Sequence, residues 1–405
     1  MDCKNEDKTR IYFERSKPLP VDLSLYTNDP LPPHHPFFKI IPHAIGRLRS
    51  LTIDGTLEHL PEITAHLSRP APLLEELSIC NVYDPDSEPD HSPALAPTLF
   101  NGDLPSMCTL ELKSVRTELP WRNMVNLTSF KLFHSEITVK QLLDFFESTP
   151  RLRQVDLRDA IPTSSTQNGR LVSLAYLETM DITGDGSASL LLDHLLIPVG
   201  AYLKIEVDLP IPPIEDPPPR FLDNLRNLSD FTEIELYGTN WNQFMLFRGP
   251  NGKVIIIPGP SEVDRAYLML GFLTQFQTSN VERLIIYRGG SPTGDLPYRV
   301  LLPMMHLHTL TLHRFASPKT FIYALDPGMN STGTMVCPQL EELNLVLSIS
   351  MEIFDIKDLI EMAVARASKG AKLKSVKIAG RKLAGSNVVE LKKHVLRVEC
   401  DVEVD

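Results

Sequence analysis

Three histidines, His306, His308 and His313, fall within eight residues and form the densest set of possible metal ligands in the chain. A metal site needs three convergent donors. His308 lies outside the alternating pair Leu310 and Leu312, and His313 follows Leu312 on the opposite side of the same strand. The spacing therefore predicts surface histidines and no metal. Gly249-Pro250-Asn251-Gly252-Lys253-Val254 is glycine-rich, as a phosphate loop is. It lacks the Gly-x-x-x-x-Gly-Lys-Ser/Thr spacing and runs into a strand instead of a helix, so it reads as a hairpin-like turn. Asp181, Asp185 and Asp193 are spread over a strand, a turn and a helix, which forces no carboxylate pair together for acid–base work. No Gly-x-Ser-x-Gly elbow occurs. The expectation is a chain that is not an enzyme, with no catalytic residues and no cofactor.

The elements that would position any site are repeats. Leu127-Thr128-Ser129-Phe130-Lys131-Leu132 is one copy of a Leu-x-x-Leu-x-Leu pattern, and copies beginning at Leu74, Leu152, Leu307, Leu340 and Leu373 are others. The last two apolar positions alternate, as a half-buried strand requires. First positions fall at Leu48, Leu74, Met107, Leu127, Leu152, Leu177, Phe231, Val281, Leu307, Leu340 and Leu373, in steps of 26, 33, 20, 25, 25, 54, 50, 26, 33 and 33. The two long steps are about double the rest, and each holds a candidate strand, 202–207 and 253–257. A leucine-rich repeat has a period of ~20–29 residues with one strand and one helix or turn per unit. The fold expected is α/β: a leucine-rich-repeat solenoid with a concave parallel sheet and outer helices. Residues 1–405 form a single domain of irregular repeats of about 25–33 residues.

Composition agrees with that class. The chain has 405 residues, 42% hydrophobic, and a net charge of −11 from 40 basic and 51 acidic residues. The acidic balance argues against a nucleic-acid surface, which needs a basic stripe. No apolar run approaches the ~18 residues of a membrane span, and the charged Met1–Lys8 has no apolar core for a signal peptide. Five scattered cysteines, with no Cys-x-x-Cys, read as reduced thiols in an intracellular protein, cytoplasmic or nuclear. The sequons at Asn126, Asn227 and Asn330 then read as coincidental.

Taken in order, residues 9–25 read as a complete unit, with a helical piece at 11–16 and a strand at 20–25. Its outer apolar surface is expected to be exposed. Proline-rich loops are expected near 27–42 and 210–219, and an acidic insertion at 84–97. Helices are expected over 57–67, 138–148 with Thr138 as N-cap, 188–196, 221–228, 262–277, 319–324, 355–367 and 388–395 with Ser386 as its cap. A final strand is expected over 397–402. Ser135, Ala160, Phe315, Ser348 and Arg381 stand where the repeat consensus has Asn or Cys. The ladder at that turn is therefore expected to be irregular.

With no catalytic constellation, what remains is a surface. Side chains alternate along a strand, so residues flanking the inward pair point to the opposite face. That face carries Ser129, Lys131 and Phe133, then Gln154, Asp156 and Arg158, then Glu233, Glu235 and Tyr237. Later units add Arg283, Ile285 and Tyr287, and Thr309, Thr311 and His313. Large aromatic side chains exposed by this phase mark a partner site. The candidates are Lys131, Phe133, Asp156, Arg158, Tyr237, Arg283, Tyr287 and His313.

Tyr12-Phe13-Glu14-Arg15-Ser16 with Pro20–Leu25, His43–Leu51, and Ala71–Ile79 give the order helix, Pro-x-Leu-x-Leu strand, then Leu-x-x-Leu-x-Ile units. This order resembles the F-box and leucine-rich-repeat proteins expanded in mushroom-forming (basidiomycete) fungi. The resemblance implies a non-catalytic protein-binding domain, the substrate-recognition part of an SCF-type (cullin) ubiquitin ligase subunit, with its protein substrate on the concave face. The F-box module itself is missing ahead of these repeats. Leu60-Pro61-Glu62 looks like an F-box opening, but only ten residues separate Ile63 from Leu74, too few for three helices. Docking to a Skp-family adaptor is thus implied only with an F-box upstream. The alternative is a stand-alone repeat scaffold without a ligase link.

Overall fold

The structure, a computed structural model, describes residues 6–27, 35–55, 60–81, 95, 99–116, 124–135, 137–160, 170–184, 187–207, 231–238, 243–250, 253–258, 270–271, 273–274, 276–287, 295–314, 318–329, 333–347 and 355–402. The acidic insertion over 84–94, the loop at 210–219, the helix expected at 221–228 and residues 262–269 lie outside them. The chain groups into two compact units, Met1–Ala201 and Tyr202–Asp405. Each is a mixed α/β unit built on a parallel or mostly parallel sheet.

The first unit contains α1 (Glu6–Arg15), β1 (Val21–Thr27), α2 (Pro36–Ala44), β2 (Leu48–Gly55), α3 (Leu60–Ala65), β3 (Glu76–Asn81), β4 (Thr109–Lys113), β5 (Ser129–Phe133), α4 (Val139–Ser148), β6 (Gln154–Arg158), β7 (Val172–Ser173), β8 (Thr179–Gly184), α5 (Ser187–Leu192) and β9 (Leu195–Leu196). Its main sheet runs β1-β2-β3-β4-β5-β6-β8, every neighbour parallel. Register is set by the apolar pair of each copy. Leu77, Leu110, Phe130, Val155 and Met180 form one row, and Ile79, Leu112, Leu132, Leu157 and Ile182 the next. All ten are buried. A one-residue slip would turn both rows to the other face. Leu23 and Leu25 pair with Leu51 and Ile53, in the phase expected for the first unit. Ile11, Tyr12, Leu19 and Tyr26 of that unit are exposed. The helix α4 closes over the core: Thr138 Oγ1 accepts from Gln141 N–H, and Gln141 Oε1 accepts from Thr138 N–H, a complete capping box. Phe145 then packs on Phe130 with ring centroids 4.4 Å apart.

The second unit contains β10 (Tyr202–Val207), β11 (Glu233–Gly238), β12 (Gln243–Arg248), β13 (Lys253–Pro258), β14 (Arg283–Tyr287), α6 (Leu296–Leu301), β15 (Thr309–His313), α7 (Lys319–Leu325), β16 (Glu342–Val346), α8 (Ile356–Ser368), β17 (Ser375–Leu383), α9 (Gly385–His394) and β18 (Arg397–Val402). From β14 to β18 the strands again pair in parallel and in chain order, with Leu312 and Leu345 buried in one row. Between β10 and β14 the order is β13-β12-β11, and β12 is antiparallel to both neighbours. The strand at 253–257 is therefore the last arm of a meander and not a sequential parallel copy. Its turn is too short for a crossover: Arg248 pairs directly with Lys253. The antiparallel pairing of Arg248 with Lys253 agrees with the hairpin-like reading of Gly249 to Val254.

Three backbone devices repeat where the side chains vary. The residue at the first apolar position donates its N–H three residues back, as in Leu127 to Met124, Leu152 to Thr149 and Leu307 to Met304. One carbonyl then accepts two successive N–H groups from the next unit: Thr128 O takes those of Arg153 and Gln154, and His308 O those of Glu341 and Glu342. After the strand, Ser114, His134, Asp159 and Arg314 adopt φ of 52°, 47°, 49° and 52°. Their N–H groups reach a carbonyl at the end of the following strand, Phe133, Arg158, Thr183 and Val346, at 2.6–2.8 Å. The irregular turn expected from the missing Asn or Cys is thus not found at His134-Ser135, Asp159-Ala160 or Arg314, because the left-handed residue lets the main chain continue the ladder itself. Around Arg381 it is found, as the register of β17 with β18 shifts between Ile378 and Lys382. His and Asp tolerate that conformation better than most side chains.

Other expectations are corrected. Residues 36–44 of the proline-rich stretch are helical: Pro36 sits in the first turn, where no N–H is needed, and Phe37, Ile40, Ile41 and Ala44 are buried at helical spacing. Burial of that stripe outweighs the backbone bond lost at Pro42. The helix expected over 188–196 stops at Leu192, and Leu195–Leu196 pair in parallel with β7. Ser386 lies inside α9, whose N-cap is Ala384 with no side-chain bond. Arg366 of α8 is fully buried, and its guanidinium donates to Val336 O and Cys337 O at 2.8 Å. These are main-chain carbonyls of the turn leading into β16.

Leu132→Ala and Leu312→Ala are each expected to cost ~2–5 kcal/mol through lost transfer energy and a cavity, measured by urea unfolding. Gly380, at φ +85°, lies against Leu347, where a Cβ would collide with the carbonyl oxygen. Gly380→Ala is therefore expected to destabilise by more than ~1 kcal/mol, despite Ala's better intrinsic propensity, with the loss read in the same unfolding curves.

Candidate functional site

The face of each sheet opposite the core rows, the open face, carries all eight sequence candidates. Lys131, Phe133, Asp156 and Arg158 lie in the first unit, and Tyr237, Arg283, Tyr287 and His313 in the second. In the first unit, Phe133 pairs in register with Arg158, whose guanidinium carbon stands 5.2 Å from the ring centroid. The same guanidinium grips Asp156 side-on, Nε to Oδ1 at 2.9 Å and Nη2 to Oδ2 at 3.0 Å, and reaches Asp181 at 3.8 Å. Lys131 lies 3.5 Å from Glu111. The charged groups are thus tied along β6, Arg158 to Asp156, and across neighbouring strands, Arg158 to Asp181 and Lys131 to Glu111.

In the second unit, the register aligns Phe244, Tyr237, Tyr287 and His313 on β12, β11, β14 and β15. Phe244 and Tyr237 stack at 4.3 Å and 23°, Tyr237 and Tyr287 at 4.4 Å and 13°, and Tyr287 meets His313 at 5.2 Å and 44°. Such pairs contribute ~0.5–1.5 kcal/mol each beyond area burial. The rings are half-buried instead of fully exposed, as is Phe133. The physical reason is that strand spacing puts the rings at stacking distance, so each covers its neighbour.

Beside the stack is a charged network that alternation alone did not reveal. Glu235 is 4% exposed and Ile285 equally buried, although both were expected on the surface. They lie at one level with buried Leu246, between the ring row and the level of Arg248 and Arg283. Tyr237 donates its hydroxyl to Glu235. Arg248 Nη1 bridges Glu233 and Glu235 at 2.5 Å to each, and Arg283 Nη1 reaches Glu233 at 3.2 Å. Burial, then the hydrogen bond to Glu235 and that carboxylate's charge, push the Tyr237 hydroxyl well above the usual tyrosine range. Burial opposes the Glu233 carboxylate, but the hydrogen bond from Arg248 and the charges of Arg283 and Arg248 hold its pKa below the ordinary 4.5. Phe244 and Arg248 escaped the sequence reading because they sit on the inserted antiparallel strand. The apolar Phe244-x-Leu246 alternation was the available signal.

Elsewhere the chemistry stays sparse. Among the described residues no group of three His, Cys, Asp or Glu side chains is arranged to hold a metal ion. His306 Nδ1 lies 3.4 Å from Gln339 Oε1, while His313 turns to Tyr287. Burial pushes the Cys80 thiol up to about 11 and that of Cys337 up to about 12, so neither is a thiolate nucleophile at neutral pH. The Asn126 amide donates to Pro105 O at 2.7 Å and accepts from Arg151 at 2.9 Å. No helix among the described residues is long and apolar enough to cross a membrane. Compared with known proteins, the chain matches no protein-family model and no curated protein.

Tyr237→Phe keeps the stack but takes a donor from buried Glu235, so it is expected to lower stability by ~1–3 kcal/mol in urea unfolding; Tyr12→Phe, at an exposed ring, is expected to change little. Since the folded pKa of Glu233 is depressed, its contribution is complete above its ordinary pKa and is lost as pH falls through the folded value. The urea midpoint of the wild type is therefore expected to fall as pH drops below about 4.5, and Glu233→Gln to lose less over the same range.

Proposed function

We propose that this chain is a leucine-rich-repeat solenoid that binds a protein partner on the open face of its sheet, without catalysing a reaction. The observation that carries the reading is the four-ring stack of Phe244, Tyr237, Tyr287 and His313 on the side of the sheet away from the core. A large apolar and aromatic surface costs solvation when left uncovered. Rings already held by their neighbours lose little further freedom on binding, which lowers the entropic cost of association. Aromatic and arginine side chains are also the residues that most often carry interface energy. The buried aliphatic rows and the repeated backbone devices support the repeat reading. By its resemblance to F-box and leucine-rich-repeat proteins, the partner would be a substrate for ubiquitination, recruited through a Skp-family adaptor when an F-box module is joined upstream. Without that module the same face would serve a stand-alone scaffold.

The test is affinity capture with wild type and with Tyr237→Ala/Tyr287→Ala, folding being checked by circular dichroism. Proteins held by the wild type are expected to be retained more than tenfold less by the double variant, since each anchor contributes ~2 kcal/mol. Lys140→Ala and Lys392→Ala, on exposed helix positions, are expected to leave capture unchanged. Equal capture by a folded double variant would remove the ring stack from the interface. Adding purified Skp-family adaptor to the same assay, with and without a fused F-box module, separates the ligase reading from the scaffold reading.

A further inference from the structure

Arg248 ends β12 and Arg283 begins β14, so two guanidinium groups flank β11 at one level of the sheet. Their side chains are 47% and 53% exposed. The carboxylates that neutralise them lie deeper, with Glu233 18% and Glu235 5% exposed. Both arginines reach those carboxylates through Nη1 alone. Among the described residues, Nε and Nη2 of either side chain make no hydrogen bond. Those two N–H groups form the edge that grips a carboxylate side-on with two parallel bonds. This chain uses that edge elsewhere: Arg158 closes it on Asp156, and Arg49 on Asp22. At Arg248 and Arg283 that edge carries no hydrogen bond among the described residues and each side chain is about half exposed, while Nη1 is anchored on the deeper carboxylates.

The spacing selects the ligand. With β11 between them, β12 and β14 are two strand separations apart, about 9.6 Å. A polyproline II segment advances ~3.1 Å per residue with three residues per turn, so carboxylates three residues apart lie on one face and span about 9.3 Å. The chain's net charge of −11 disfavours diffuse attraction of an acidic partner, so recognition would have to come from the two forks themselves. We propose that the partner presents an acidic segment of the form Glu-x-x-Glu in polyproline II conformation, which lies across β12, β11 and β14 and closes both guanidinium edges. This rests on the reading of the open face as a partner surface and adds the chemistry of what docks there. The ring stack, four residues further along β11 and β14, takes an adjoining part of the same partner.

The probe is a fluorescein-labelled peptide, Ser-Glu-Ala-Ala-Glu-Ser, titrated with the full chain and followed by anisotropy, beside a Gln-for-Glu peptide and a phosphoserine peptide without Glu. The Glu peptide is expected to bind at least about tenfold tighter than the Gln peptide. Arg248→Lys/Arg283→Lys keeps both charges and can still pair with Glu233 and Glu235, but it removes the forks. It is expected to weaken the Glu peptide about tenfold with an unchanged melting midpoint. If the double variant melts early, Arg283→Lys alone, whose bond to Glu233 is the longer one, supplies the comparison. Equal binding of Glu and Gln peptides, indifference to the lysine variants, or binding of the phosphopeptide alone would overturn the proposal. If Tyr237→Ala/Tyr287→Ala loses native capture while the Glu peptide fails, the acidic segment falls and the surface reading stands. If that ring variant keeps its capture, the surface reading falls.

Discussion

A single carbonyl accepting two successive N–H groups from the next unit is the joint on which both sheets depend. Thr128, Glu282, His308 and Glu341 each supply one, and each stands just before its own strand. The joint sets the next strand's register, so that the apolar pair of each copy lies opposite its equivalents. Burial then makes the register costly to leave, since a slip would expose two aliphatic side chains and bury two polar ones. The left-handed residue after each of four strands closes the other end of the same ladder. Side-chain identity at that turn matters less than its ability to take positive φ.

The meander β11-β12-β13 shows what happens when the joint is interrupted. Two short reversals replace a crossover, and an antiparallel strand enters an otherwise parallel stack. That strand brings Phe244 beside Tyr237 and Arg248 beside Glu233 and Glu235. A carboxylate as buried as Glu235 is costly without partners. It is held by the Tyr237 hydroxyl and the Arg248 guanidinium. The irregular element thus builds the most chemically distinctive part of the open face, and the stack and the ion network share Tyr237.

The first unit uses the same face differently. Its charges are satisfied on the face itself, Arg158 with Asp156 along β6 and Lys131 with Glu111 across strands, and its one ring among the candidates, Phe133, is covered by an arginine instead of by other rings. Surface pairs of this kind contribute little to stability. Their effect is to pin long side chains, leaving a polar and preorganised face.

Repeat phase, the apolar rows and the alternation that places Lys131, Phe133, Asp156, Arg158, Tyr237, Arg283, Tyr287 and His313 away from the core were all legible from spacing alone. The reason is local: a strand's period of two assigns every residue a face once one buried pair is recognised. Thr138 as a cap was legible for the same reason, because its partner Gln141 is three residues away. What tertiary structure decided was contact between segments far apart in sequence. The burial of Glu235 depends on Arg248, thirteen residues on, and on the reversal that brings it back. The helix at 36–44 forms against proline propensity because Phe37 and Ile41 find a core to fill. Arg366 is buried because main-chain carbonyls 29 and 30 residues earlier turn towards it. Periodicity assigns a face, whereas depth, pairing and charge environment are set by which strand arrives next to it.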